Sequence, residues 1–364
     1  MTKAAELAKI GEVATNSQIG GRRNIVINGA MQVAQRATSA TGLGTQNNYF
    51  TLDRWKATIN SAGRFTMSQT ADGPVGFANC LKLDCTTADT SIAATENIIL
   101  SQAIEAQDLQ QLKKGTSDAE KITLSFYVKG NANAGYTVEI YDGINDRRIG
   151  QTFSVTTDWT KVILTFPADT AGALADSNAT GLFINWWLHA GSNFTGGTFD
   201  TTWADYVQNR RVGNTTSFLD STDRTFFLTG VQLEVGSVAT PFEHRSFGEE
   251  LALCQRYHYR AGKAESAYTN FGQGWAISAT AGTIHIPLPV EMRSEPSVSI
   301  NDVQVSDDAN AAIDCSAIAV NAATGSRQLA VLEFTVASGA TQYRSYGLRG
   351  SNNTASHVSL DAEL

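Results

Sequence analysis

Six polar and aromatic side chains on three predicted strands could together form a carbohydrate-binding face. Segments 122–129, 136–141 and 181–189 alternate apolar and polar residues, as strands with one buried face do. If these strands share a sheet, the outward side chains include Tyr127, Glu139, Tyr141, Asn185, Trp187 and His189. Aromatic rings cover the apolar C–H faces of a sugar, while carboxylate, amide and imidazole groups hydrogen-bond its hydroxyls. The pattern therefore predicts a shallow glycan site.

Packing is the more frequent role of such a face. It could lie against a neighbouring subunit or beneath a long loop, such as 191–225. Trp203 and Tyr206 in that loop are comparable sugar-contact candidates with less support, and Trp55 is interpreted as a core or loop anchor.

No residue pattern indicates catalysis. Glycoside hydrolysis needs two carboxylates held about 5–10 Å apart, whereas Asp142, Asp146 and Asp200 stand in patterns typical of turns. There is no Gly-x-Ser-x-Gly elbow, no zinc-like Cys/His spacing and no phosphate-binding glycine loop. The sequence predicts a protein that is not an enzyme and holds no cofactor or metal.

The composition limits the class of partner. The chain has 364 residues, a net charge of −8 and no cluster of Lys and Arg. Nucleic acids and anionic membrane surfaces both need cationic partners, so neither is expected to bind. The length allows two folded units.

The cysteines and the N-terminus indicate folding in a reducing cytoplasm. Cys80 and Cys85 fall in one predicted strand, where their Cα atoms would lie about 16 Å apart. A disulfide needs Cα atoms within about 7 Å, so free thiols are expected. The N-terminus lacks the apolar core of a signal peptide, and the chain has no apolar run of about 18 residues.

Hydrophobic periodicity divides the chain into four parts. Residues 1–23 carry a short amphipathic helix followed by a hinge. Strand patterns dominate 24–245, which predicts a sandwich or barrel, with a short surface helix expected at 105–114. Residues 246–262 are predicted to form a linking helix, and 263–364 a smaller β domain.

Three segments, in this order, resemble bacteriophage tail fibre or receptor-binding proteins that contain a carbohydrate-binding-module-like jelly roll. The first is 24–36, followed by Asp-Arg-Trp at 53–55. The second is the Val-Gln-Leu-Glu-x-Gly-x-x-Ala-Thr-x-Phe strand and turn at 231–242. The third is Pro-x-x-Met-Arg-x-x-Pro at 289–296. The resemblance implies a mainly β protein, with an antiparallel jelly-roll β-sandwich and a C-terminal β knob.

The resemblance also implies a homotrimer on a virion assembled in the host cytoplasm. The N-terminal residues 1–23 would attach to another virion protein, and the β domains would bind host surface glycan. Calcium-bearing modules of this kind carry an acidic residue before the Val-Gln-Leu strand, whereas 227–230 reads Phe-Leu-Thr-Gly. This departure from the pattern leaves the presence of a structural calcium ion open.

Two alternatives stay open. One is a purely structural head fibre, capsid decoration or neck protein without receptor binding. The other is a glycan-cleaving tailspike, which is expected to carry a repetitive β-helix and a carboxylate pair. The sequence shows neither feature.

Overall fold

A computed structural model describes residues 23–213, 215–262, 266–308 and 312–364, together with Lys3. The predicted N-terminal helix lies outside these residues. The chain forms two compact units, 1–247 with Leu364 and 248–363. Strands dominate both units, so the predicted mainly β fold class is confirmed.

The first unit is a sandwich of two antiparallel sheets. In spatial order the six-stranded sheet contains β1 (Ser39–Leu43), β4 (Arg64–Thr70), β5 (Cys80–Thr87), β13 (Thr225–Val235), β7 (Ile122–Gly130) and β10 (Thr160–Phe166). The seven-stranded sheet contains β12 (Ala204–Asp205), β9 (Arg147–Val155), β8 (Ala134–Asp142), β11 (Thr180–Ala190), β6 (Asn97–Glu105), β3 (Lys56–Asn60) and β2 (Asn47–Tyr49). The chain passes repeatedly between the sheets, as in a jelly roll.

Alternating apolar residues fill the space between the sheets. Phe126 on β7 packs edge-on against Trp186 on β11, with ring centroids 5.7 Å apart. Trp55 lies 5.4 Å from Trp186 and donates its indole N–H to the Asn28 carbonyl. All three aromatic side chains are fully buried, and Trp55 is a core anchor as predicted.

The Gln-Leu-Glu part of the closing strand β13 stabilises the turn that follows it. The carboxylate of Glu234, 1% exposed, accepts hydrogen bonds from the Thr240 backbone N–H at 2.9 Å and hydroxyl at 2.7 Å. The Gln232 side-chain oxygen accepts the Glu243 N–H at 2.8 Å. Buried polar groups need such partners, so this motif acts in folding.

Asn24 and Asn28 fix the opening segment on the sandwich. The Asn24 side chain accepts the Leu233 N–H at 3.2 Å and donates to the Val231 carbonyl at 3.0 Å. Asn28 has a left-handed backbone (φ 57) and binds both polar groups of the Val33 backbone. Asn tolerates this conformation better than most residues. The 24–36 motif therefore acts in folding, because it fixes the opening segment to strand β13.

Short helices connect some of these strands. A 3-10 helix at Ala106–Leu112 occupies the predicted surface helix, with Leu109 and Leu112 buried. Within the 191–224 connection lie helix α1 (Ser192–Thr195) and a 3-10 helix at Gln208–Arg210.

The second unit begins with helix α2 (Phe247–Gln255), most of which belongs to it. The predicted linking helix ends earlier than expected, because β14 (His258–Ala261) pairs with β22 (His357–Asp361), which also pairs with β17 (Ser297–Asn301). A closed barrel contains β15 (Asn270–Ala276), β16 (Ala281–Pro287), β20 (Leu329–Val336), β19 (Ile313–Val320), β18 (Val303–Ser306) and β21 (Ser345–Gly350).

Arg293 of the Pro-x-x-Met-Arg-x-x-Pro segment donates to the carbonyls of Ala362, at 2.8 Å, and Glu363, at 3.0 Å. Met292 beside it is fully buried in the core of the second unit. The third motif therefore also stabilises the fold.

All four cysteines are free thiols. Burial raises the pKa of Cys80 to about 12, so that thiol stays protonated at neutral pH. Among the described residues, no helix is both long and apolar enough to cross a membrane.

Candidate functional site

Five of the six predicted glycan-contact residues lie on the seven-stranded sheet. Glu139 and Tyr141 are on β8, and Asn185, Trp187 and His189 are on β11. Tyr127 lies on β7 in the opposite sheet, where its ring contacts Phe77 at 5.4 Å. The prediction of one shared face is wrong for Tyr127, because the outward faces of two packed sheets point in opposite directions.

Glu139 is the centre of a buried polar cluster. Strand register places Asn185 directly opposite Glu139, and the carboxylate accepts the Asn185 amide at 3.0 Å and the Trp187 indole N–H at 3.1 Å. Arg211 adds two hydrogen bonds, from Nε at 2.8 Å and Nη2 at 2.7 Å. Such a two-pronged Arg–carboxylate pair fixes orientation as well as charge.

The 191–224 connection covers this part of the sheet. Arg211 belongs to it, and Phe194 packs its ring 5.1 Å from that of Trp187. Trp187 is fully buried, Glu139 is 1% exposed and Asn185 is 6% exposed. Packing beneath a long loop, the alternative drawn from the sequence, therefore describes these three residues, and the expectation that they lie exposed is wrong.

The Arg211 guanidinium joins the buried cluster to the surface. Its carbon lies 4.7 Å from the Trp187 ring centroid and 5.4 Å from that of Tyr206. Burial lowers the pKa of Arg211, but the charge of Glu139 and its hydrogen bonds outweigh burial, and the pKa is raised. Arg211 stays charged and holds the covering loop in place.

Three aromatic rings form a strip at the edge of the cluster, and we call Phe183, Tyr141 and Tyr206 the aromatic strip. Phe183 and Tyr141 stack at 5.9 Å with an interplanar angle of 23°. Tyr206 lies 5.7 Å from Tyr141 and is 37% exposed. The Tyr141 hydroxyl donates to Asp146 at 2.6 Å, and burial together with this bond raises the Tyr141 pKa. The Tyr141 phenol is thus neutral at physiological pH.

An open cleft lies in the covering loop, and its lining begins at Val207, the residue after Tyr206. It has a volume of about 480 Å³ and is lined by Ser192, Asn193, Val207, Gln208 and Asn209, which we call the amide cleft. The Gly197 N–H, just after helix α1, donates to the carbonyl of Asn209 in the 3-10 helix at 2.7 Å. This bond connects the two short helices of the loop. The volume falls within the roughly 300–1,000 Å³ of small-ligand sites. Hydroxyl and amide groups can both donate to and accept from a polyol.

Sequence patterns missed part of this surface. Phe183 has the right strand parity but was not among the six residues, and nothing in the sequence marks Arg211 as the partner of Glu139. Tyr206 is exposed as a loop candidate should be. Trp203 instead donates its indole N–H to the Pro167 carbonyl at 2.7 Å and packs against the core.

His189 lies at the end of β11, apart from the Glu139 cluster. Its imidazole is fully buried, and its ligand atoms lie within 4.8 Å of carboxylate oxygens of Asp89 and Glu96. Within the described ranges, this is the group of side chains that could hold a metal ion.

Comparisons with known proteins found structural likeness alone. No family model and no curated protein sequence matches this chain. Among solved structures, a carbohydrate-binding module described as CBM4 is 14% identical with a TM-score of 0.30, over 57% of this chain and 97% of its own. TmCBM61 in complex with β-1,4-galactotriose is 8% identical with a TM-score of 0.31, over 59% of this chain and 99% of its own.

The enzymatically active domain of tailspike protein 4 from bacteriophage CBA120 is 12% identical with a TM-score of 0.29. That match spans 58% of this chain and 21% of the tailspike chain. At these TM-scores the likenesses assign neither a ligand nor an activity to this chain.

Proposed function

We propose that this chain is a bacteriophage fibre protein whose sandwich unit binds host surface glycans through the aromatic strip and the amide cleft. The observation that carries the glycan proposal is a 37%-exposed Tyr206 ring followed in the chain by Val207, which lines a cleft of about 480 Å³ together with three amide side chains and a hydroxyl. The resemblance of three ordered sequence segments to fibre proteins supports the attachment role.

The chemistry of the two surfaces is complementary. In the proposed complex, the Tyr206 ring contacts the C–H face of one pyranose, and the amides of Asn193, Gln208 and Asn209 hydrogen-bond hydroxyls of the glycan. The Arg211–Glu139 pair holds the loop that carries Tyr206, so the surface is preorganised before the sugar binds.

Single contacts of this kind are weak, because water competes for every hydrogen bond of an exposed polyol. A homotrimer mounted on the virion by its N-terminal residues multiplies them through effective concentration. Trimer, virion location and N-terminal attachment are parts of the proposal that are supported by the sequence resemblance.

Retardation of the full chain in gels containing host lipopolysaccharide or capsular polysaccharide tests the glycan site. The wild type is expected to be retarded, and Tyr206→Ala to bind roughly 2- to 10-fold more weakly, since aromatic contacts contribute about 0.5–1.5 kcal/mol. Trp275→Ala is the matched control, because Trp275 is a 44%-exposed aromatic residue of the second unit. Equal retardation of wild type and Tyr206→Ala, or loss only in Trp275→Ala, contradicts this site.

Adsorption assays test the attachment role separately. Purified full chain added to host cells is expected to compete with phage adsorption, and Tyr206→Ala to compete less well. A structural decoration protein leaves adsorption unchanged. Release of reducing sugar from the polysaccharide would instead reveal a tailspike.

A further inference from the structure

Asp89, Glu96 and His189 converge at one end of the sandwich from two segments of the chain. Asp89 lies in the connection from β5 to β6, Glu96 directly precedes β6, and His189 is near the end of β11. His189 is fully buried, and Asp89 and Glu96 are only 7% and 8% exposed. One ligand atom from each lies within 4.8 Å of the others.

The surrounding backbone holds the two carboxylates in place. Glu96 accepts the Ala62 N–H at 2.9 Å on Oε1 and the Ala93 N–H at 2.8 Å on Oε2. Asp89 accepts the Ser91 N–H at 3.1 Å on Oδ1. A carboxylate offers about four lone-pair sites, so both side chains keep acceptor capacity for a further ligand.

Two buried polar atoms of the cluster have no hydrogen-bond partner. They are Asp89 Oδ2 and His189 Nε2. The nearest charged neighbour of Nε2 is Glu96 Oε2, at 3.5 Å. An unsatisfied buried acceptor costs free energy, so the unpaired Asp89 Oδ2 and the long Nε2–Oε2 contact both leave capacity for a further ligand.

The donor set suits a cation. Glu96 Oε2 lies 3.5 Å from His189 Nε2, and Asp89 brings a second carboxylate within 4.8 Å. Among the described residues, neither carboxylate forms an ion pair with a Lys or Arg side chain, and a cation would balance the two negative charges.

Ser217 sets the orientation of the imidazole. Its hydroxyl lies 2.8 Å from His189 Nδ1 and also accepts the Leu219 N–H at 3.0 Å. A hydroxyl can accept from or donate to an imidazole nitrogen, so this contact is compatible with both neutral tautomers. In the tautomer that donates from Nδ1 to Ser217, the lone pair of Nε2 is available to a cation.

The same residues do not form a hydrolytic Ser-His-carboxylate triad. Such a triad must present its serine and imidazole to a substrate bond. His189 has no exposed surface, and no substrate reaches it in this structure.

We propose that Asp89 Oδ2, Glu96 Oε2 and His189 Nε2 bind a divalent transition-metal cation. One imidazole with two carboxylates suits Zn²⁺ or a related first-row ion, and a water ligand completes the coordination. The ion joins the connection after β5 to the ends of β6 and β11. Because the covering loop begins directly after β11, metal binding anchors the base of that loop.

Titration of the EDTA-treated full chain with Zn²⁺ by isothermal calorimetry tests the site. One Zn²⁺ per chain is expected, with affinity reduced at least tenfold in Asp89→Asn and in His189→Gln. His285→Gln is the matched control, because His285 is a histidine of the second unit, outside the cluster. Co²⁺ in place of Zn²⁺ is expected to show the visible absorption of nitrogen and oxygen ligation in the wild type and not in His189→Gln.

Circular dichroism of each variant establishes that it folds, and Asp89→Asn is nearly isosteric. Absence of Zn²⁺ binding by the wild type overturns the proposal, as does equal binding by all the variants. Binding of Ca²⁺ in place of Zn²⁺ overturns the transition-metal assignment. None of these outcomes depends on glycan binding, so the proposed function is tested independently.

Discussion

Two buried carboxylate clusters include outward-facing side chains of strand β11, and the two clusters differ in the balance of positive and negative charge. At Glu139, Arg211 supplies a full positive charge, and Asn185 and Trp187 satisfy the remaining acceptor sites. A few residues along the strand, His189 meets Glu96 and Asp89 without a cation. The two clusters are similarly buried, but only the Glu139 carboxylate is paired with a cationic side chain.

The difference separates two roles for buried charge. A carboxylate that is paired and hydrogen-bonded is a structural joint, and removing its partner leaves a charge that water cannot reach. A carboxylate beside a neutral imidazole keeps its capacity for an added ion. The Glu139 cluster therefore stabilises the loop beside the aromatic strip, and the His189 cluster is the one that keeps capacity to bind an ion.

The largest effect is expected for Arg211→Ala. It removes the hydrogen-bonded counter-ion of Glu139, which is 1% exposed, and leaves the more distant Arg148, whose Nη1 lies 3.9 Å from Oε1. Breaking a buried pair costs about 3–5 kcal/mol. Urea unfolding followed by tryptophan fluorescence measures the change. Retardation by polysaccharide is expected to weaken as well, because Tyr206 loses the guanidinium beside it.

The double variant Glu139→Gln with Arg211→Met is the control for that prediction. It removes both charges and keeps the side-chain volume, so it is expected to be more stable than Arg211→Ala alone. If the single and double variants unfold at the same urea concentration, the pair does not carry the stability assigned to it.

Asp89→Asn is expected to act in the opposite direction. In metal-free protein it removes the negative charge of Asp89 beside the Glu96 carboxylate and the unpaired carboxylate oxygen Oδ2. The free energy of unfolding is expected to rise by about 1–3 kcal/mol, the range for an unsatisfied buried group. Glu139→Gln is the matched comparison and is expected to lose stability, because Arg211 then lacks a charged partner. Destabilisation by both variants to the same extent contradicts the contrast between the clusters.

The fold could be predicted because alternation is a property of each strand alone. The buried residues Ile122, Leu124, Phe126 and Val128 on β7 follow the period of two read from the sequence. The closing strand and its turn could be predicted as well, because Gln232 and Glu234 hydrogen-bond residues that follow closely in the chain. Local patterns therefore sufficed for the sandwich.

The site could not be predicted to the same extent, because it depends on which strands share a sheet. Parity gave the direction of Tyr127 correctly relative to β7, but β7 pairs with β13 and β10 and not with β8 or β11. Burial of Trp187 depends on Arg211 and Phe194, which fold back from the 191–224 connection. Contacts across such distances leave no periodic signal in the sequence.

The smallest effect concerns pH and distinguishes the clusters without metal. Burial lowers the pKa of His189 below its usual value of 6.5. In the unfolded chain the imidazole binds a proton as pH falls through 6.5, whereas in the folded protein it binds a proton only at lower pH. Proton binding therefore stabilises the unfolded state relative to the folded state. Stability is therefore fully present above pH 6.5 and declines below it, by at most about 0.8 kcal/mol between pH 7.5 and 6.0. His189→Gln is expected to remove this decline in urea unfolding at the two pH values. An unchanged slope in His189→Gln would mean that the imidazole has the same pKa in the folded and the unfolded chain. A contribution of opposite sign, with stability rising as pH falls, would mean that the imidazole is protonated in the fold, which would make the two clusters alike.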